Sequence, residues 1–137
     1  ILIFKRWISN MKSIERKEYY KNKNNVEINF LRQLKKRLPN DLELLKVLAD
    51  LYMKNNFIKD GLEVDLHLSR LDPEDSVIWY NLACSYALNK KINEAFESLF
   101  KAVNLGYNDI SHIKNDKDLN NLRHDSRYQE VLNSINI

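Results

Sequence analysis

An all-α solenoid of paired helices is the fold class this sequence predicts, and three observations carry the prediction. Pro39 and Pro73 stand 34 residues apart, each closing a helical apolar pattern. Equivalent positions around them hold similar residues: Leu45, Leu48, Ala49 and Tyr52 of one unit become Trp79, Leu82, Ala83 and Tyr86 of the next. A period of that length marks a stacked helix–turn–helix unit. Composition agrees, because two Gly and two Pro in 137 residues leave few helix breakers, whereas Leu, Lys and Glu favour helices. That length suits one domain with a continuous core.

Each element follows from local pattern. In residues 1–20, Phe4, Trp7, Ile8, Met11 and Ile14 fall at helical spacing, with Lys5, Arg6, Lys12, Arg16 and Lys17 mostly elsewhere on the wheel. This predicts a basic amphipathic helix. Lys21 to Asn25 has no apolar residue and reads as a loop, with Asn24 or Asn25 able to cap the next helix. That helix is expected from Val26 to Leu38, stopped by Pro39. Asn40 or Asp41 caps another, from about Leu42 to Lys54, and Asn55-Asn56 makes a turn. The partner helix is expected over Ile58 to Leu71, with Gly61, Val64, Leu68 and Leu71 facing inward.

Asp72-Pro73-Glu74-Asp75 repeats the earlier proline loop, and a second pair is expected over Ser76 to Asn89 and Ile92 to Leu105. Ala83 and Ala95 sit where antiparallel helices must approach closely, a place where longer side chains would force them apart. Ala49 and Gly61 take those places in the first pair. Gly106 ends the last helix as a C-cap. Beyond it, Asp109, Asp116 and Asp125 offer N-caps to short pieces carrying Leu119, Leu122, Tyr128, Val131, Leu132 and Ile135. Those pieces read as a cover over the exposed end of the last pair, which a solenoid needs for solubility.

Charge is split along the chain. Residues 1–40 hold eleven Lys or Arg against Glu15, Glu18 and Glu27, a balance of +8. Residues 41–137 hold eleven basic and sixteen acidic residues, a balance of −5. Such asymmetry points to a basic arm with its own partner, or to contact between the halves. Cys84, the single cysteine, has no intramolecular disulfide partner. Ile1 to Phe4 is too short an apolar run for a leader or a spanning helix, which needs about 20 residues. A cytoplasmic protein is the expectation, with a segment upstream of Ile1 left open.

Trp79-Tyr80-Asn81-Leu82-Ala83-Cys84-Ser85-Tyr86-Ala87-Leu88, followed by Asn93-Glu94-Ala95-Phe96 and Ala102-Val103, resembles a tetratricopeptide repeat of the bacterial kind. Gly106 to Tyr128 resembles the ending that often comes after such repeats. The resemblance implies a right-handed α-α solenoid of tetratricopeptide helix pairs with a C-terminal helical cap. Its parts would be a basic helix and loop at 1–25, the second helix of a degenerate repeat at 26–38, repeats at 39–73 and 74–107, and the cap at 108–137. A non-enzymatic scaffold or adaptor without cofactor is the role it implies.

In that family the first helix of each pair lines the concave face. Projected here, that face holds Glu43, Lys46, Val47, Asp50, Met53 and Lys54 from one unit, and Val77, Tyr80, Asn81, Cys84, Ala87 and Leu88 from the next. A mixed Lys/Asp/Asn/Tyr surface suits an extended protein or peptide segment, whose backbone needs hydrogen bonds and whose side chains need shallow pockets. The competing reading is a concavity that is only solvated, or covered by the chain's own arm. Some family members clamp a peptide carboxylate at places held here by Lys46, Asp50 and Asn81. Asp50 disfavours that, since a carboxylate repels a carboxylate.

The basic helix, with Phe4, Trp7, Ile8 and Met11 as its interface, offers a second reading. It could dock on its own solenoid, join copies into a homo-oligomer, or lie on an anionic membrane surface. Nucleic acid is disfavoured, because Tyr19-Tyr20 between lysines falls short of a stacking motif. Catalysis and metal binding have little support. His67, His112 and His124 are scattered, and His112 with Asp116 makes two ligands where a site needs three or four. Cys84 among small residues reads as packing, and there is no Gly-rich phosphate loop.

Overall fold

The computed structural model describes residues 2–12 and 23–135, and it falls into two compact units, 1–39 and 40–137. Among the described residues all regular structure is helical.

In the first unit, α1 spans Leu2–Ser9 and α2 spans Lys23–Arg37. The amphipathic helix expected through residue 20 ends at Ser9, because residues 10–12, Met11 among them, form a turn and bend, and the part from residue 13 lies outside the described residues. Helix α2 begins at Lys23 rather than Val26, so Asn24 and Asn25 lie in its first turn instead of capping it. Ile28 is buried on α2, and the Trp7 and Phe30 rings lie 5.4 Å apart.

The second unit stacks two helix pairs and a cap. The first pair is α3 (Leu42–Lys54) and α4 (Ile58–Leu71). The second is α5 (Ser76–Leu88) and α6 (Ile92–Asn104). The cap consists of α7 (Ile110–Asn115), the 3₁₀ turn η1 (Lys117–Leu122) and α8 (Ser126–Ile135).

The repeat is visible in the turn chemistry. Asp41 caps α3 by accepting from the Leu44 amide at 2.9 Å, and Asp75 caps α5 by accepting from Val77 at 2.8 Å. Both aspartates lie two residues after a loop proline, and both satisfy an amide the helix leaves unpaired. Helices α3, α5 and α6 end alike, on a residue with positive φ: Asn56 at 61°, Lys90 at 59° and Gly106 at 106°. At each end the chain folds back on a helix carbonyl, as Phe57 N on Tyr52 O, Lys91 N on Tyr86 O and Tyr107 N on Ala102 O, all at 2.9 Å. Asn and Gly suit this left-handed backbone; lysine is strained there. Lys90→Gly is therefore expected to raise unfolding free energy by roughly 0.5–1 kcal/mol, read from the urea midpoint. An unchanged or lowered midpoint would refute the strain.

Small residues set the spacing of the pairs. Ala83 and Ala95 are wholly buried. At Gly61 a Cβ would lie 2.8 Å from the Met53 sulfur, so a larger residue there would have to displace the Met53 side chain of α3. Around the alanines, Phe96, Leu99 and Ala102 of α6 join Ile113, Leu119, Leu122, Tyr128, Val131 and Leu132 of the cap in one core. Asn121 also ties η1 to α5 by donating to the Ala87 carbonyl at 2.9 Å. One expectation fails at the edge of a helix face: Leu71, placed inward by its spacing, is 36 % exposed at the last turn of α4.

Candidate functional site

A groove of about 590 Å³ lies in the second unit, between the first helices of both pairs and the cap. Helix α3 contributes Lys46, Ala49, Asp50 and Met53, and α5 contributes Val77, Ile78, Tyr80, Asn81 and Cys84. Asp65 and Leu68 of α4 reach it from the second helix of the first pair. Asp75, at the N-cap of α5, and His112, Asp116 and Asp118 of the cap complete the lining. Residues three or four apart share a helix face, which is why Lys46, Asp50 and Met53, or Val77, Tyr80, Asn81 and Cys84, open on one space.

Of the twelve residues projected onto the concave face, seven line the groove: Lys46, Asp50, Met53, Val77, Tyr80, Asn81 and Cys84. Glu43, Val47 and Lys54 do not, although all three are exposed on α3. Glu43 lies 3.6 Å from Lys46, and Lys54 holds Asp50 at 2.7 Å. Tyr80 and Cys84, drawn from sequence as a contact surface, form the groove's buried wall, with Tyr80 only 2 % exposed. Ala87 is wholly buried, and Leu88 is half-buried. Of the arm residues, Trp7 is exposed and Met11 half-buried, while the side chains of Phe4 and Ile8 lie outside what the structure describes.

Sequence reading missed the acidic residues that come from elsewhere. Asp65 belongs to a second helix, and Asp116 and Asp118 belong to the cap, so no pattern within one helix would group them. The available signal was a single acid, Asp65, beside Val64 inside an apolar stripe. Asp65 is 3 % exposed and accepts from the Ser85 hydroxyl of α5. Burial pushes its carboxyl up to about 6, against the opposing pull of that hydrogen bond.

The cap wall is a tight network. The Tyr80 hydroxyl donates to Asp116 Oδ2 at 2.8 Å, and its ring stacks on Tyr107 at 4.2 Å. Burial, with nearby Cys84 and Asp116, pushes the Tyr80 phenol far above its ordinary range. The Tyr107 phenol is pushed up to about 12, again mainly by burial. The Asp118 amide donates to Asp116 Oδ1 at 3.0 Å, and His112 Nε2 lies 3.4 Å from Oδ2. Arg123 donates to the Asp116 carbonyl at 2.7 Å and to the Tyr128 hydroxyl at 2.8 Å.

Cys84, Asp116 and Asp118 bring potential ligand atoms within 4.8 Å of one another. Asp116 is already engaged by Tyr80, and burial with the two aspartates pushes the Cys84 thiol well up. A neutral thiol is a poor nucleophile and a poor ligand. To whatever enters it, the groove presents its shape, the exposed Asn81 amide and its charged side chains.

No protein-family model matches the chain. Over 107 residues it is 28 % identical to a chloroplastic protein of Arabidopsis thaliana, an overlap of 76 % of this chain and 31 % of that protein. The chain thus spans about a third of that relative's length. Among solved structures, MamA superposes with a TM-score of 0.67 at 20 % identity, covering 91 % of this chain and 74 % of MamA. The MamA RS-1 ArsTM double mutant gives a TM-score of 0.60 at 18 % identity, over 82 % and 67 %. The fold is a tetratricopeptide-like helical repeat, all-α in its described residues. Among those residues, no helix is long and apolar enough to cross a membrane.

Proposed function

We propose that this chain is a protein-interaction scaffold that holds an extended segment of a partner in the groove between α3, α5 and the cap. The supporting observation is the groove itself. Its 590 Å³ lie between the first helices of successive pairs, within the size range of ligand sites. Its rim offers exposed Lys46, Asp50, Val77 and Asn81 to a partner's backbone and side chains. Affinity from so short a stack is modest, because the interface is small.

A photo-crosslinking residue placed at Asn81 or Val77, and at Glu97 of α6 as control, tests the placement in the protein's native cells. Adducts from the two groove positions and none from Glu97 are expected. Equal adducts at all three, or none from the groove, would overturn it.

A second reading, self-association or membrane-surface recruitment through α1, draws on Leu2 and Ile3, exposed at 84 % and 74 % beside exposed Lys5 and Arg6. Removing residues 1–12 separates the two. Groove adducts persist under the first reading; a smaller solution mass or lost sedimentation with anionic vesicles supports the second.

A further inference from the structure

We infer that the groove selects a basic segment, seating a partner's lysine or arginine side chain between Asp50, Asp65 and Asp118. This rests on the groove being a peptide site and adds the chemistry of its occupant. Five aspartates line the space, against Lys46 and His112. Two of the five are committed internally: Asp75 caps α5, and Asp116 is held by Tyr80 and the Asp118 amide. The other three differ: Asp50 pairs with Lys54 at the surface, Asp65 accepts from the Ser85 hydroxyl, and Asp118 has no side-chain partner among the described residues.

Asp65 has a neutral partner, the Ser85 hydroxyl. The half-buried Asp118 carboxylate has no hydrogen-bond donor among the described residues. Asp50 holds Lys54 in a surface pair whose side chains are 58 % and 66 % exposed, and such pairs are weak enough to exchange. A cation entering this partly desolvated space meets carboxylates at lower effective dielectric than on an open surface, so attraction there is stronger. Val77, 51 % exposed on the groove's edge, gives the aliphatic stem of Lys or Arg an apolar surface to lie along. The balance of −5 over residues 41–137 steers a basic partner toward the same unit.

Fluorescence anisotropy with three synthetic peptides of one Ser/Val framework, carrying Lys, Gln or Glu at alternate positions, tests this in the full chain. The Lys peptide is expected to bind about tenfold more tightly than the Gln peptide, with the Glu peptide weakest. Asp50→Asn/Asp118→Asn should remove most of that preference without lowering the melting temperature, while Glu97→Gln on the far face should leave it intact. Equal binding of all three peptides would overturn the charge selection while the groove adducts still stood. An equal loss from Glu97→Gln would reduce the effect to overall charge and overturn it too. A free protein with the mass of two chains, halved by the Lys peptide, would make a second copy the occupant in place of a separate partner.

Discussion

Phe96→Ala is expected to cost about 4 kcal/mol of unfolding free energy, the largest effect of any single truncation in the second unit. Phe96 is among the largest wholly buried side chains, on the face of α6 that belongs to the same core as the cap. Its removal takes away apolar burial and leaves a void that neighbouring Ala95, Leu99 and Ala102 cannot fill. It also removes the ring under the Arg127 guanidinium, which sits 4.3 Å from the centroid. Domains of this size are stable by about 5–15 kcal/mol, so the variant would sit near the margin. Guanidinium titration gives the magnitude. Hydrogen exchange gives the location, because a stack couples mainly to its neighbours: α7, η1 and α8 should lose protection before α3 does. A cost below about 1.5 kcal/mol, or uniform loss of protection, would contradict a cap held on through α6.

That cap was legible from the sequence, and the reason is local. Asp109, Asp116 and Asp125 each precede a short apolar run, and each accepts from an amide two or three residues on: His112 at 2.9 Å, Asp118 at 3.0 Å and Arg127 at 3.0 Å. The bounds of α3 and α4 were legible for the same reason, since Pro39, Asp41 and Asn55-Asn56 fix them within a few residues. The start of α2 differs from its expected place because asparagine has low helix propensity, which makes Lys23-Asn24-Asn25 read as a loop. Leu71 was misread because a helix's last turn can leave the face its spacing implies.

The groove was half legible. Helical spacing grouped Lys46, Asp50 and Met53, and the repeat aligned Val77, Tyr80 and Asn81 beside them. Spacing could not show that Tyr80 points into the cap, where it meets Asp116 across 36 residues of sequence. Nor could it bring Asp65, Asp116 and Asp118 into one space, because they stand on a second helix and beyond the repeats. The sequence therefore suggested a mixed surface, where the folded chain has an acidic one with a buried aromatic wall.

Asp65→Asn is expected to abolish a pH dependence that this groove imposes. The unfolded carboxyl titrates near 3.8 and the folded one near 6, so the folded state favours the protonated form. The stability that goes with protonation is fully present below the unfolded value of 3.8 and lost as pH rises through about 6. The gap corresponds to a change on the order of 3 kcal/mol. Asparagine has nearly the same shape, keeps a hydrogen bond to Ser85 and cannot ionise. The variant should match the parent near pH 4 and exceed it above pH 7, by several degrees in Tm. Asp118 is shifted upward by burial as well, and Asp125 is held down to about 2 by Arg127. Both remain in the variant, so the difference between the two curves isolates Asp65. Parallel curves from pH 4 to 8 would show that Asp65 does not titrate in this range. If they diverge as expected, the native chain tolerates an ionised carboxylate, buried without a cation, at the floor of its groove. Structure alone gives no reason to keep Asp there, since Asn would fold as well or better at neutral pH. A partner's lysine or arginine supplies one, because the cation offsets the cost of ionisation that folding leaves uncompensated.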